Sequence, residues 1–145
     1  MTPEDEGYLR RAIELAAEGR AAGDQPYGSL LVGPEGEILA EDWNTVERDR
    51  DITAHPELKL ARWAGRELTP EVARKTTMYT SCQPCILCVG AIERSGLGRV
   101  VYALSTDQFY ELQPSQVVVR DAMSVEYEGP ALLEEARVPI DGFYG

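Results

Sequence analysis

Three cysteines and one histidine are the residues of this sequence that could do chemistry at a metal. Cys82, Cys85 and Cys88 lie within seven positions of one another, and His55 is the single histidine of the chain. An odd, clustered set of cysteines is a poor framework for disulfide bonds, which tie distant segments together. The cluster therefore indicates metal ligation or redox chemistry.

Cys85 and Cys88 follow Pro84 at the predicted start of a helix. Residues three apart share one face of a helix, so both sulfurs can reach a single ion. The N-terminus of a helix also lowers the pKa of a thiol and favours the thiolate that a metal binds. By themselves, the two cysteines are consistent with half of a structural zinc site, a redox pair or two buried side chains.

His55 precedes Pro56, which suits the first turn of a helix, and Glu57 comes next. His55 is then a cap residue, and both His55 and Glu57 can face a site beyond the helix end. With Cys85 and Cys88, His55 makes three ligands, and the fourth position of a tetrahedral Zn²⁺ stays open for water, as in catalytic sites. Zn²⁺ lowers the pKa of that water and provides a hydroxide nucleophile, and an uncoordinated Glu57 can shuttle protons.

Cys82 is the alternative fourth ligand, and its binding would close the site and make it structural. Pro84 stiffens the connection between Cys82 and the following helix, away from the helical face. We therefore predict Cys82 to be a structural neighbour of the site. The complete pattern, H-x-E followed by P-C-x-x-C, is the signature of zinc nucleobase deaminases, and it favours that chemistry over a structural zinc site or a redox pair.

The elements that position these residues follow from hydrophobic periodicity and turn residues. The first helix starts at a capping box of Thr2 and Asp5 and ends at Gly19 or Gly23. A hairpin of strands 27–32 and 37–43 follows, then a loop (44–53), a helix (56–66), a strand (76–81), a helix (85–93) and a strand (99–104). Short strands over 117–119 and 125–127 and a helix over 130–137 complete the chain. The alternation predicts an α/β protein with a mixed sheet between helices, in one domain over residues 1–145.

Composition and charge narrow the classes of partner. Fourteen basic and twenty-five acidic residues give a formal net charge of −11, which repels phosphates on average. The 43% hydrophobic content suffices for a core and argues against disorder. No apolar run approaches the ~18 residues of a membrane span, and the acidic N-terminus lacks a signal sequence. We therefore predict a cytoplasmic protein with neither a nucleic-acid nor a membrane partner.

From the first helix to about Leu112, the sequence resembles the cytidine and nucleotide deaminase superfamily. The resemblance rests on P-Y-G-S-L-L-V at 26–32, the Trp43–Asn44 pair and T-S-C-Q-P-C-I-L-C-V-G-A-I at 80–92. It is greatest to the branch that holds guanine deaminases, fungal-type cytosine deaminases and tRNA adenosine deaminases. It implies a three-layer α/β/α fold with a five-stranded mixed sheet, and a homodimer.

The resemblance also implies a role for each site residue. Zn²⁺ would be bound by His55, Cys85 and Cys88, and Glu57 would be the catalytic proton shuttle. The ring edge of the substrate would be hydrogen-bonded by Asn44, and the pocket would be bordered by the backbone around Gln83 and Pro84.

Two residues depart from the family pattern. Pro56 stands where a small residue, often alanine, is usual, and Gln83 stands where glutamate or serine is common. Neither removes the chemistry, but both touch the pocket and could signal an unusual substrate.

Charge is the best discriminator among substrates. Residues 126–141 carry five acidic side chains against one arginine, where tRNA-editing members of the family carry a basic C-terminal helix. Arg48 and Arg50 could clamp a phosphate, but the acidic residues among them favour a solvated loop. We predict a free aminated base: guanine or a related aminopurine or aminotriazine such as ammeline comes first, and cytosine or isocytosine comes second. A nucleoside (guanosine or cytidine), tRNA adenosine and a catalytically silent zinc-binding module remain alternatives.

Four aromatic residues are candidates to stack on the base, namely Phe109, Tyr110, Phe143 and Tyr144. Core or interface packing is the alternative for Phe109 and Tyr110. Chain ends are usually frayed and polar, so an aromatic pair there needs a reason. We predict that Phe143 and Tyr144 form a lid over the pocket of their own or a neighbouring subunit.

Overall fold

The computed structural model describes residues 1–112 and 125–145. Its elements in chain order are α1 (Pro3–Ala21), β1 (Gly28–Val32), β2 (Ile38–Trp43), α2 (Val46–Asp49), α3 (Pro56–Glu67), α4 (Pro70–Arg74), β3 (Thr77–Cys82), α5 (Ile86–Ser95), β4 (Arg99–Leu104), α6 (Thr106–Leu112) and α7 (Leu133–Ala136). Each helix and strand predicted up to residue 104 is present. The loop predicted over 44–53 contains the one-turn helix α2.

The described residues form a mixed four-stranded sheet in the order β2-β1-β3-β4. β1 pairs antiparallel with both β2 and β3, and β3 pairs parallel with β4. The sheet is mixed, as predicted, but its described part has four strands where five were expected. The predicted strand over 117–119 lies outside the described residues.

Two hydrophobic clusters show that the sheet lies between two layers of helices. Leu30 and Val32 of β1 pack with Leu9, Ala12 and Leu15 of α1. On the opposite face, the cluster joins β1 and β3 to α3 and α5 through Leu31, Met78, Leu60, Ala61, Ala64, Cys88 and Ile92. Successive strand residues point to opposite faces, which is why β1 is buried along its whole length. The three-layer α/β/α prediction is confirmed.

The first helix is held against the sheet by its cap and by a glycine. The predicted capping box is present: the Thr2 Oγ1 accepts from the Asp5 N–H at 3.1 Å, and the Thr2 N–H donates to Asp5 Oδ2 at 2.8 Å. Gly28 lets α1 approach the start of β1, because a Cβ there would lie 2.5 Å from the Ala12 carbonyl oxygen. The start of β1, which borders the site described below, is thereby positioned by α1.

The C-terminal part departs from the sequence prediction. Val125–Tyr127 is not a strand; residues 125–145 are exposed, and a strand needs a neighbouring strand to pair its backbone. The helix predicted over 130–137 is reduced to the single turn α7, and α6 was not predicted. Among the described residues, no helix has the length and apolar character needed to cross a membrane.

Asp5 joins α1 to β3 and β4 through a buried carboxylate. It accepts from both Arg99 Nη atoms at 2.9 Å and from the Tyr79 hydroxyl at 2.7 Å. The Arg99 guanidinium, followed by the bonds from Thr2 and Tyr79, holds the pKa of Asp5 well below its usual range. This carboxylate is therefore stabilised in its charged form, which links the free energy of unfolding to pH.

Asp5→Asn is expected to lower the free energy of unfolding by about 2 kcal/mol at pH 7, the range for hydrogen bonds to charged groups. Because the folded-state pKa is depressed, the contribution is complete above the unfolded value of ~3.9 and is lost as the pH falls below it. Urea denaturation at several pH values should show the difference between wild type and variant shrinking below about pH 4. A difference that stays constant down to pH 3 would contradict this assignment.

Candidate active site

The predicted site residues meet at one edge of the sheet, where the parallel strands β3 and β4 end. Asn44 follows β2, Gln83 follows β3, and Cys85 is the N-cap of α5. His55 is the N-cap of α3, as the sequence predicts, and Pro56 is in its first turn. Because β1 is antiparallel to β2 and β3, its first residues lie at this edge too. The carboxyl edge of parallel strands is the usual place for ligands in α/β folds.

The three predicted metal ligands form a compact triangle. The Nδ1 atom of His55 lies 3.5 Å from the Cys85 Sγ and 3.4 Å from the Cys88 Sγ, and the two Sγ atoms are 3.7 Å apart. Among the described residues, these three are the group with donor atoms near enough to hold one ion, and Cys82 is not part of it. Packing of α3 against α5 brings the two halves of the motif together.

The dimensions of this triangle fit tetrahedral zinc. Zn–S bonds of about 2.3 Å and Zn–N bonds of about 2.0–2.1 Å at tetrahedral angles place two sulfurs ~3.8 Å apart, and a sulfur and a nitrogen ~3.5 Å apart. The distances between the donor atoms here agree with both values. The donor set of one imidazole and two thiols is also the one that zinc prefers, and three protein ligands leave a fourth position open.

The two cysteine ligands share a proton unequally. The contact with the Cys88 thiol lowers the pKa of Cys85 to about 4, and the His55 ring adds to this effect. The same contact, together with burial, raises the pKa of Cys88 above its usual value. A bound divalent cation would remove this competition of the two thiols for a proton, because thiols that coordinate a metal are deprotonated outright.

Glu57 lies buried beside the triangle but outside the ligand set. Its side chain reaches β1, where the Ser29 hydroxyl donates to Glu57 Oε1 at 3.3 Å. Burial raises the pKa of Glu57 above its usual value. A carboxyl group whose pKa lies closer to neutral pH can both accept and donate a proton at that pH.

Asn44 is buried and held by its neighbours. Its N–H donates to the Tyr27 carbonyl at 2.9 Å, and its side-chain Oδ1 accepts from the Val46 N–H at 3.0 Å. Because the oxygen already has a partner, the N–H groups of the side-chain amide are the donors it can offer to acceptor atoms of a ring.

Gln83 links the turn between β3 and Cys85 to the end of β4 and the start of α6. Its N–H donates to the Leu104 carbonyl at 2.8 Å, and its Oε1 accepts from the Thr106 N–H at 3.0 Å. Gln83 is exposed and Pro84 is half-buried. Gln83, one of the two residues that depart from the family pattern, therefore positions the start of α6.

Two of the four aromatic candidates lie near this edge. Phe109 and Tyr110 are half-buried on α6, and the Phe109 ring meets Tyr27 edge-on with centroids 5.7 Å apart. The ring centroids of Phe143 and Tyr144 are 5.0 Å apart, and the two residues are 76% and 88% exposed, respectively.

Of the two arginines considered as a phosphate clamp, Arg48 is paired with Asp24.

Sequence reasoning missed two residues of this site. Ser29 touches Glu57, and its Oγ also lies 2.7 Å from Thr80 Oγ1, whose hydroxyl can donate to it. Tyr27 is half-buried, and burial, followed by the nearby Cys82 and Glu57, raises its pKa. The signal was a serine in an otherwise apolar strand, P-Y-G-S-L-L-V, next to an aromatic residue at the strand start.

Known proteins match this chain over most of its length. The family described as the cytidine and deoxycytidylate deaminase zinc-binding region matches residues 2–104. A probable cytosine deaminase of Schizosaccharomyces pombe is 30% identical over 156 residues, covering 99% of this chain and 94% of that protein. A tRNA-specific adenosine deaminase of Buchnera aphidicola subsp. Schizaphis graminum is 36% identical over 101 residues, covering 70% of this chain and 66% of that protein.

A solved structure extends the similarity to the whole fold. Guanine deaminase from Bacillus subtilis superposes with a TM-score of 0.77 at 29% identity, covering 99% of this chain and 94% of that chain. The three similar proteins are named for three different substrates, so their names do not choose among bases.

Proposed function

The chain belongs to the family of cytidine and deoxycytidylate deaminases, and we propose that it is a zinc-dependent deaminase of a free aminated base. Guanine or a related aminopurine or aminotriazine is the proposed substrate. The observation that carries the proposal is the triangle of His55, Cys85 and Cys88 with the zinc-sized spacing, beside the buried Glu57. The proposed reaction consumes water, replaces a ring amino group by an oxygen and releases ammonia.

The roles of the residues follow from their positions. His55, Cys85 and Cys88 hold Zn²⁺, which when bound supplies a Lewis acid that activates water near neutral pH. Glu57 accepts the proton of the attacking water on its carboxylate and passes it to a ring nitrogen. It then takes the remaining proton of the added oxygen and gives it to the departing amino group, so that the ring carbonyl forms and ammonia leaves as a neutral molecule.

Ser29 and Asn44 serve these steps by positioning. The hydrogen bond from Ser29 holds one oxygen of Glu57, which leaves the other oxygen for proton transfer. The Asn44 amide donates to an acceptor on the ring edge and aligns the amino-bearing carbon. A guanine ring offers such acceptors at its carbonyl oxygen and ring nitrogens.

Charge supports a neutral small substrate over a nucleic acid. The chain carries a net charge of −11, and Arg48, which could otherwise bind a phosphate, is paired with Asp24. Contacts from Lys and Arg to phosphates supply most of the affinity for nucleic acids. We therefore propose a free base rather than a nucleotide or tRNA.

Cytosine is the second candidate. The Schizosaccharomyces pombe relative, named as a probable cytosine deaminase, matches 99% of this chain. A match of that extent reaches into the C-terminal segment (125–145) that a pocket lid would use. Cytosine also offers a ring carbonyl and a ring nitrogen to the Asn44 amide.

An ammonia-release screen tests the proposal. Purified zinc-loaded protein is incubated with guanine, cytosine, isocytosine, adenine, ammeline, guanosine and cytidine, and kcat/KM is compared. We expect guanine or ammeline to give the highest value. A higher value for guanosine than for guanine would overturn the free-base proposal, and no ammonia from any compound with zinc fully loaded would favour a catalytically silent zinc-binding module.

The C-terminal segment is proposed to complete the pocket, so that residues 1–145 act as one catalytic domain. Large apolar side chains of this segment are exposed on the single chain, including Tyr127, Phe143 and Tyr144. Exposed apolar groups that lie together indicate a surface that another surface covers. We propose that Phe143 and Tyr144 cover the substrate in the chain's own pocket or in that of a second copy.

Deleting residues 131–145 is expected to lower kcat/KM at least about 10-fold, because a lid orients the substrate and excludes water. The zinc content and the melting temperature should change little, since these residues are exposed. The double variant Phe143→Ala and Tyr144→Ala separates the aromatic pair from the rest of the segment. An unchanged kcat/KM in both variants would eliminate the lid.

A homodimer is part of the same proposal. Ile86, Leu87 and Val89 of α5 are 58%, 41% and 44% exposed and lie beside the metal ligands of that helix. A second copy would cover this apolar face. Light scattering of wild type and Leu87→Glu tests it, with a dimer expected for wild type and a monomer for the variant.

A further inference from the structure

The ammonium group of Lys59 makes three hydrogen bonds, none of them to a residue of the metal triangle. Lys59 lies on α3, two residues after Glu57, and its N–H donates to the His55 carbonyl at 3.0 Å. Its ammonium Nζ donates to Asp42 Oδ1 at 3.0 Å, the Trp43 carbonyl at 2.9 Å and Thr45 Oγ1 at 3.0 Å. All three donors of the ammonium group therefore have an acceptor.

The three acceptors surround Asn44 in the sequence. Asp42 and Trp43 precede it and Thr45 follows it, so Lys59 holds the chain on both sides of Asn44. Two other side chains bond to one flank each, Asp24 to Trp43 and Asp49 to Thr45. Lys59 Nζ thus ties α3 to both flanks of Asn44, in addition to the backbone hydrogen bond from the Thr45 N–H to the Ala54 carbonyl at 3.0 Å.

Burial strengthens this link. The Lys59 side chain is 19% exposed and Asp42 is 34% exposed, so that the contacts are screened less than those of a surface pair. An isolated surface ion pair contributes little to stability. Here the charge pair is one of three bonds that converge on a single nitrogen, which restricts both the distance and the direction between the two segments.

The two segments carry different parts of the proposed reaction. The start of α3 carries His55 and Glu57, whereas the segment after β2 carries Asn44, which would hold the ring of the base. A ring that turns or shifts relative to Glu57 loses the alignment that proton transfer requires. A link between the two segments therefore controls the orientation of the base.

We propose that Lys59 is a positioning residue that fixes Asn44 relative to Glu57 and thereby orients the base for deamination. The inference rests on the proposed function. Because its three donors are occupied, Lys59 does not bind a phosphate or the substrate itself. Its effect on the reaction passes through Asn44.

A double-mutant cycle measures this coupling. Lys59→Met is expected to lower kcat/KM for the base about 10- to 100-fold, the effect of a small misplacement of a reacting group. In an Asn44→Ala background, the same change should lower kcat/KM less than about 2-fold, since the residue it acts through is gone. A general structural defect would instead lower kcat/KM equally in both backgrounds, and that result would overturn the proposal.

Matched variants complete the experiment. The chain has one other lysine, Lys75, which is exposed, so Lys75→Met controls for loss of a lysine charge and should leave kcat/KM unchanged. Asp42→Asn weakens one of the three bonds and should produce a smaller loss in the same direction. If Lys59→Met does not fold, the cycle is made with Asp42→Asn and judged by the same criterion.

Hydrogen exchange gives a readout that does not need activity. In the Lys59→Met protein, the amides of Asn44, Thr45 and Val46 should exchange faster, while those of β1 and β3 keep their protection. Unchanged exchange at the three amides would overturn the proposal even if no base is deaminated. Absence of ammonia release by wild type, in contrast, would contradict only the proposed function.

Discussion

Replacing Glu57 by glutamine is expected to lower kcat for ammonia release by about 10²- to 10⁴-fold, the contribution of a general acid–base residue. Glutamine keeps the size of the side chain and can still accept the hydrogen bond from the Ser29 hydroxyl. It cannot take up the protons of the attacking water and pass them to the ring nitrogen and the leaving amino group. Because Glu57 is outside the ligand triangle, one zinc per chain should remain bound.

The control for this change lies on the same helix. Glu67 is exposed at the end of α3, and Glu67→Gln removes a carboxylate without touching the site. Zinc content is measured by elemental analysis and kcat by ammonia release, for wild type and both variants. Full activity in Glu57→Gln with zinc bound would refute the role of Glu57. Loss of zinc in that variant would show that Glu57 contributes to metal binding.

Replacing Cys88 by serine is expected to abolish zinc binding and, with it, ammonia release. Removing partners of a zinc ligand already costs about 10- to 100-fold in metal affinity, and losing the ligand itself should cost more. Serine is nearly isosteric with cysteine, so the buried position on α5 stays filled. The expected loss therefore reflects the missing thiolate and not a cavity in the core.

Thermal denaturation with and without a chelator separates the metal from the fold. Zinc that binds the native state alone stabilises it by mass action, by about 4 kcal/mol at 1,000 times its Kd. The melting temperature of wild type should fall on chelation, while that of Cys88→Ser should be low and insensitive to the chelator. Cys82→Ser is the matched control and should keep its zinc, because Cys82 is not part of the triangle. Loss of zinc from Cys82→Ser would make it a fourth ligand.

The local parts of the metal site were predictable from short-range constraints, whereas the approach of His55 to the two thiols depends on the packing of α3 against α5. Cys85 and Cys88 are separated by one helical turn, and His55 caps a helix whose first residue is a proline. The capping box of Thr2 and Asp5 and the glycine that ends α5 were predictable for the same reason. In each case the interacting groups lie within four residues, where the backbone alone sets the geometry.

Sequence predictions were wrong or incomplete where the outcome depends on contacts with residues distant in the chain. Val125–Tyr127 has the residue types of a strand, but no strand of the described chain pairs with it. Ser29 looked like one polar residue in a buried strand, and only the packing of α3 on that face of the sheet brings it to Glu57. The alternation of side chains along β1 assigns Ser29 and Leu31 to one face of the sheet. It does not tell which helix covers that face.

By itself, the sequence determined which groups are available for chemistry: a donor set for zinc, a carboxylate next to it in the motif and a net charge of −11. The tertiary structure decided how these groups are arranged. It placed the His55 ring 3.5 Å or less from two thiols on another helix, buried Glu57 against Ser29, and linked Lys59 to both flanks of Asn44. The reason is physical: residue types set which bonds are available, whereas contacts between residues 14 to 33 positions apart depend on how helices pack on the sheet.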